Sequence, residues 1–422
     1  MKKNIFLHKK ILFLLFFSFI GIFSLFFNIF GSKDLLYRLY PNLNLAQKLF
    51  SKKSIIENLK NDYNIKFLPN SQFIKLNLEK KKINFPQPTN TTQSKKNKTN
   101  YNWYKSFYLE LLEEKILIVD YLGKIYQVKN EEIKNTEIKN LEPQNINSNL
   151  SVIRVLDTLI HKEYLYVSFI KLKNNCKTLS ISFAKINFDY LDFKNLFNTK
   201  ECGEYILGGR MQFYKHNDNN GLLLTTSNHP NNQPDNKPQN ENSYFGKILF
   251  IDFDKKNSII FSKGHRVAQG LYAENNLIIS TEHGPRGGDE INKIIFNKNY
   301  GWPISSYGER YGVLETQKPH YLKSHTSQKF EEPIFSFVPS IGISEIIRLP
   351  NNFSDHFVDN FIVSSLNGNS LYRIKFDENY NKIIFNEKIF IGNRIRDLKY
   401  HDKMNAIFLA LEEKGEIGIL SK

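Results

Sequence analysis

After about residue 105, apolar and polar positions alternate in short runs, and each run is followed by a turn and a second run of the same kind. Six such units are present. They are ILIVDYLGKIYQV (116–128), YLYVSF (164–169) with the 179–190 region, and GLLLTTS (221–227) with FGKILFIDFD (245–254). NLIISTE (276–282) with DEINKIIFN (289–297), FIVSSLNGNSLYRIKFD (361–377) and AIFLALEEKGEIGIL (406–420) complete the set. Gly, Asn and Asp supply the turn chemistry between the runs. No convincing amphipathic helix follows residue 100. Recurring antiparallel hairpins bury their faces best on one another in a ring, which predicts an all-β, six-bladed β-propeller. Two packed sandwiches are the competing all-β arrangement.

The N-terminal pattern differs. MKKNIFLHKK is a basic flank, and Ile11 to Phe30 is an uncharged run of 20 residues. As a helix it would be about 30 Å long, enough to cross a bilayer. Lysine on its N-terminal side predicts an anchor with the body outside the cytoplasm, on the periplasmic side. A cleaved signal peptide would normally have a shorter apolar core and small residues at its end. The chain is thus read as residues 1–30 flank and anchor, 31–101 basic stalk and linker, and 102–422 propeller. The stalk would lie on anionic headgroups or remain a solvated linker. HPNNQPDNKPQNEN (229–242) reads as a mobile surface loop.

Charge supports this division. The net charge is +16, but residues 101–422 hold only +2 of it, the excess sitting beside the N-terminus. A nearly neutral body argues against nucleic acid as a partner. Cys176 and Cys202 are the only cysteines. In an exported domain they would pair, and in a reducing compartment they would be two thiols.

The stretch EHGPRGGDEINKIIFNKNYGWP (282–303) concentrates Gly, Pro and charge as no other part of the body does. Gly-Pro followed by Arg-Gly-Gly-Asp-Glu excludes helix and regular strand, so a shaped loop leads into the strand INKIIF. No Walker loop, GxGxxG or HExxH occurs.

Together with GHRVAQGL (264–271), LGGRM (207–211), VPSIGISEI (338–346) and RIRD (394–397), this stretch resembles the soluble glucose/sorbosone dehydrogenase family, which includes the aldose sugar dehydrogenases. The resemblance covers roughly residues 105–422. It implies a six-bladed propeller that binds pyrroloquinoline quinone (PQQ) and calcium and oxidises a sugar C1 hydroxyl by hydride transfer to the quinone. Position by position, it implies that the carbonyls of Gly284 and Pro285 hold calcium, and that Arg266, Arg394 and Arg396 grip the quinone carboxylates. Gln269 matches the Gln of the family's GHR motif.

Several positions depart from the family pattern. Its general base is a His in H-x-G-G-R, where this chain has Ile206, so the resemblance implies that Ile206 faces the same pocket as the arginines. Isoleucine takes no proton, and His265 and His283 are the titratable groups flanking the loop, with His283 the first substitute. Asn367 stands where a cofactor-contacting Lys is expected, and Val267 where an Asn is expected. VIRVLD (152–157) replaces a Q/E-G-G-L-L segment, which reads as one more lost polar contact. Two functions follow: a membrane-anchored PQQ-dependent aldose dehydrogenase, or a propeller of the same fold that acts as a binding or interaction module.

Overall fold

The computed structural model describes residues 76–85, 106–203, 206–227, 236–255, 257–310 and 321–422. These belong to one unit, Lys75–Lys422. Six sheets form the blades; their pairings are antiparallel except for the short outer pairs Lys82–Ile83 with Asn140–Leu141 and Tyr190–Leu191 with Asn147–Ser148. Each hairpin read from the sequence supplies the two middle strands of one blade. These are Lys115–Asp120 and Ile125–Lys129 in blade 1, Tyr164–Lys173 and Cys176–Lys185 in blade 2, and Asn219–Thr226 and Lys247–Asp252 in blade 3. Blade 4 uses Leu277–Glu282 and Asp289–Lys293, blade 5 Asn360–Ser365 and Ser370–Phe376, and blade 6 Ala406–Leu411 and Glu416–Ser421. Middle strands are covered on both faces by neighbouring blades; Lys247–Asp252, Asn360–Ser365 and Ala406–Leu411 are buried at every position. Apolar clusters fill the interfaces, as where Ile118 and Tyr126 of blade 1 meet Phe408 and Ile417 of blade 6.

The innermost strands are Phe107–Leu111, Arg154–His161, Gly208–His216, Ala268–Glu274, Ile343–Arg348 and Ile395–His401. Each touches the next, and the last touches the first, so they line a central channel. This is a six-bladed β-propeller.

The ring closes through a strand the sequence pattern did not reveal. Asn77–Ile83 pairs antiparallel with Glu416–Ser421, from Asn77↔Ser421 to Lys82↔Glu416, as an outer strand of blade 6. Part of the segment read as stalk and linker, and assigned to residues 31–101, therefore belongs to the propeller. The surface-loop reading of 229–242 also changes in its second half. Pro238 is buried, and Gln239 donates to the Trp302 carbonyl at 2.6 Å and accepts from Asn299 at 2.7 Å. The run Ile11 to Phe30 and the anchor read from it lie outside the described residues. Among the described residues no helix is long and apolar enough to cross a membrane.

Cys176 and Cys202 form a disulfide with a Cα–Cα distance of 5.2 Å. It ties a middle strand of blade 2 to the link entering blade 3.

Candidate functional site

Antiparallel pairing brings the start of each inner strand and the turn between the two middle strands to one end of the channel. In blade 4, Ala268 lies opposite Glu282, and Glu282 opposite Glu290. Arg154, Arg266 and Arg394 stand at the entries to inner strands, while His283 to Gly288, Asn367 and Glu412 stand on or beside the middle turns. The residues singled out from motifs therefore share one mouth.

The floor of this mouth is an ionic hub on the channel axis. Arg210, fully buried, directs Nη1 to Asp157 Oδ1 at 2.8 Å, Glu345 Oε2 at 2.7 Å and Asp397 Oδ1 at 3.4 Å. Its Nε donates to the Gln269 carbonyl at 2.7 Å and its Nη2 to the Arg396 carbonyl at 2.8 Å. One guanidinium thus joins blades 2, 3, 4, 5 and 6. Blade 1 enters through Glu110, which pairs with Lys399 at 3.1 Å and accepts from Thr158 at 2.9 Å. Oxygens of Asp157, Glu345 and Asp397 come within 4.8 Å of one another, a spacing that suits a metal ion. The cation among them is the chain's own Arg210, so this is a structural ion cluster. Burial lifts Asp157 to about 7 despite Arg210 and Lys399, with Glu345 and Asp397 adding to the rise.

Above the hub, Arg396 donates through Nε to Glu412 Oε2 at 2.7 Å and through Nη1 to Gln269 Oε1 at 3.3 Å. Arg394 Nε donates to Glu412 Oε1 at 3.0 Å, and Ser106 Oγ to Glu412 Oε2 at 2.6 Å. Burial would raise Glu412, but Arg396 outweighs it, helped by Arg394 and Ser106, and the carboxyl is held down to about 2. Glu412 therefore gathers the two arginines at the mouth. Arg266 Nη1 donates to the carbonyls of His283 at 2.8 Å and Gly284 at 2.7 Å, with its guanidinium 5.3 Å from the Trp302 ring. The pinning of Trp302 by Gln239 thus supports Arg266 indirectly.

The Gly-rich loop is shaped around Asp289. Its Oδ1 accepts from Gly284 N, and its Oδ2 from Ile341 N and Ile343 N, all at 3.0 Å. Gly288 has φ +71°, and a Cβ there would meet Gly308 N at 2.4 Å. Only glycine tolerates both conditions, which explains why the stretch carries so much of it.

His283 hydrogen-bonds the Ile343 carbonyl through Nε2. A carbonyl only accepts, so Nε2 carries the proton and Nδ1 holds the lone pair in the neutral ring. Burial lowers its pKa against the opposing Asp289 carboxylate, with Arg266 and Arg396 adding to the fall. The ring is neutral at physiological pH, with Nδ1 available to accept a proton.

His265 differs. Ser262 Oγ lies 2.8 Å from its Nε2 and Glu282 Oε1 2.8 Å from its Nδ1, the order of a serine nucleophile relay. All three side chains are buried, His265 completely, so no substrate reaches the hydroxyl and the chain of bonds is structural.

Ile206, aligned with the family's base, was expected to face the mouth. Its side chain is instead sealed in an apolar cluster with Leu156, Met211, Leu224 and Phe245. Only its carbonyl is engaged at the mouth, accepting from Arg154 Nη2 at 2.7 Å. Val267 is fully buried and Asn367 is exposed. Arg154 is the polar residue that motif reading missed. VIRVLD reads as a lost contact, yet it brings a guanidinium to the mouth.

These groups suit a polyanionic ligand such as a carboxylated quinone. They do not by themselves form a calcium site. Gly284 O already accepts from Arg266, Pro285 O meets only Ser340 Oγ at 3.5 Å among the described residues, and Asp289 is spent on three backbone N–H groups. Calcium takes roughly six to eight oxygens.

Comparison with known proteins agrees with the architecture. The apo-form soluble aldose sugar dehydrogenase of Escherichia coli superposes with a TM-score of 0.65 at 17% identity, over 82% of this chain and 99% of that one. The PQQ-bound aldose sugar dehydrogenase of Streptomyces coelicolor superposes with a TM-score of 0.54 at 17% identity, over 75% of this chain and 93% of that one. In sequence, the aldose sugar dehydrogenase YliI of Escherichia coli is 28% identical over 37% of this chain and 42% of its own length. The quinoprotein glucose dehydrogenase B of Acinetobacter calcoaceticus is 33% identical over 22% of each chain. The matched region spans less than half the length of these curated relatives. The signature of the Glucose / Sorbosone dehydrogenase family matches residues 104–419, and the chain belongs to that family.

Proposed function

We propose that this protein is a PQQ-dependent sugar dehydrogenase, anchored by its N-terminal run with the propeller on the periplasmic side. The observation that carries this reading is the convergence of Arg266, Gln269, Arg394 and Arg396 on one mouth beside a neutral histidine. When bound, PQQ supplies the quinone carbon that accepts the C1 hydride of an aldose. The arginine forks hold its carboxylates. His283 Nδ1 takes the C1 hydroxyl proton, so loss of hydride and proton together leaves the lactone. The ionic hub fills the channel below, so the sugar would enter from the mouth. Calcium, where the cofactor brings it, would be held by the carbonyls of Gly284 and Pro285.

The sealed side chain of Ile206 favours a second reading, a propeller that binds a ligand without turning it over. Titrating the purified chain with PQQ and calcium, then following dye reduction with aldoses, separates the two. Stoichiometric PQQ binding with turnover supports the dehydrogenase. Binding without turnover supports the second reading, and no PQQ binding removes the cofactor from both.

A further inference from the structure

Arg154 opens the inner strand of blade 2, and its charge is balanced by no carboxylate among the described residues. Nη2 donates to the Ile206 carbonyl at 2.7 Å, while Nε is buried and has no acceptor. The groups favouring its charge are the phenols of Tyr121 and Tyr108; burial and Arg396 oppose it. Burial pushes the Tyr108 phenol up to about 12, so it brings no anion at neutral pH. The nearby acids are committed elsewhere. Asp157 serves Arg210 and the Met211 amide, and Glu412 serves Arg394, Arg396 and Ser106. Arginine cannot shed its proton to escape this situation. A half-buried guanidinium whose Nε is sealed and without an anion is disfavoured, and the cost is relieved when a ligand brings the missing charge.

We propose that Arg154 recognises an anionic group on the molecule to be oxidised, and that the substrate is a sugar acid carrying one carboxylate, such as a hexuronate. This rests on the dehydrogenase reading above. The arginine is fixed to Ile206, the residue aligned with the sugar-facing base, which places it at the substrate end rather than with the cofactor-gripping set. One uncompensated guanidinium matches one negative charge. A carboxylate supplies one, whereas a phosphate monoester brings about 1.5 to 2 at neutral pH. The planar fork also suits a carboxylate held by two parallel bonds.

The test uses the full chain and the variants Arg154→Gln and Arg154→Lys, with glucuronate, glucose and glucose 6-phosphate as probes. Two readouts are taken: thermal stabilisation by each sugar without PQQ, and the ratio of kcat/KM for each sugar after PQQ loading. The wild type should be stabilised by glucuronate and not by glucose. After loading it should favour glucuronate by about tenfold to a hundredfold, the worth of one charge-assisted contact. Arg154→Gln should abolish both preferences while its PQQ titration stays within about twofold, and Arg154→Lys should recover only part because it lacks the fork. Equal stabilisation by glucose and glucuronate, or a preference for glucose 6-phosphate, overturns the proposal. So does an Arg154→Gln variant that loses PQQ affinity but keeps its glucuronate preference. If the wild type fails to bind PQQ yet glucuronate stabilises it through Arg154, the dehydrogenase reading falls while recognition of the sugar acid stands.

Discussion

Replacing Arg210 by Leu removes the cation that five blades share. Three buried carboxylates, Asp157, Glu345 and Asp397, lose their partner, and the carbonyls of Gln269 and Arg396 lose a donor. Breaking one buried pair costs about 3–5 kcal/mol, and each buried acceptor left without a donor about 1–3 kcal/mol. The Arg396 carbonyl keeps Ser344 Oγ as a donor, so one pair and one orphaned acceptor sum to about 4–8 kcal/mol, against a total stability of about 5–15 kcal/mol for a folded domain. Protonation caps the loss, because a carboxyl deprived of Arg210 can become neutral at about 1.4 kcal/mol per unit of pKa shift. The sign follows. Asp157 and Glu345, already raised by burial, rise further above their unfolded values, so stability is retained at low pH and lost as pH rises through the folded values. Urea unfolding followed by tyrosine and tryptophan fluorescence should show Arg210→Leu losing more than half of its stability at about pH 8 and regaining part at about pH 5.5. A variant within about 1 kcal/mol of wild type at the higher pH, or one with no pH asymmetry, would refute the hub.

Four further outcomes are expected. His283→Gln should retain PQQ binding and lose about 10²–10⁴-fold in dye reduction, since the base is gone while the arginines remain. Ile206→His should not install a base; it buries an imidazole among Leu156, Met211, Leu224 and Phe245 and should cost about 2–3 kcal/mol in urea unfolding. Replacing Cys176 and Cys202 by Ser should cost about 3–4 kcal/mol, because the bridge closes a loop between residues 26 apart. In the wild type, Asp157 near 7 contributes stability that is complete below its unfolded value and lost as pH rises through about 7; Glu412 near 2 contributes stability present above its unfolded value and lost as pH falls through about 2. A pH series of unfolding midpoints should therefore peak on the mildly acidic side, and a monotonic rise to about pH 8 would contradict it.

The legibility of this fold followed burial. Middle strands are covered on both faces, so their apolar runs stand out, and all six were readable. Inner strands carry the channel's polar groups: RVLDTLIH turns Asp157 to the axis and GGRMQFYKH turns Arg210 there, which breaks the alternation that marks a strand. The closing strand NLEKKKI was hidden by its lysines. Lys81 is nevertheless fully buried, donating to the Asn135 and Ile138 carbonyls at 2.7 and 2.8 Å beside Glu79. Motifs placed Arg266, Gln269, Arg394, Arg396 and His283 at the mouth because backbone turns specify those positions. They misplaced the Ile206 side chain, because alignment assigns a position along the chain but not the direction of a side chain.

The hub also fixes the mouth residues Gln269 and Arg396 independently of the link that carries Ile206. Gln269 and Arg396 face the mouth with their side chains while Arg210 holds their carbonyls from below, and Ser344 Oγ donates to the Arg396 carbonyl at 2.9 Å. Their placement is inherited from the axis, so it persists as long as the propeller folds. Ile206 lies on the link into blade 3, where its side chain packs in a cluster that any apolar residue of similar size would fill. A substitution there does not disturb the axis, and His283, held by the Ile343 carbonyl and kept neutral by burial, stands at the mouth. Arg210→Lys separates the two dependencies. It keeps the charge among the three carboxylates but cannot also reach both carbonyls, so Gln269 and Arg396 should lose their fixed placement. PQQ affinity should then fall by about tenfold or more while the fold survives, each lost hydrogen bond being worth about 1 kcal/mol. An Arg210→Lys protein that folds and binds PQQ as tightly as wild type would show that the axis does not position the site.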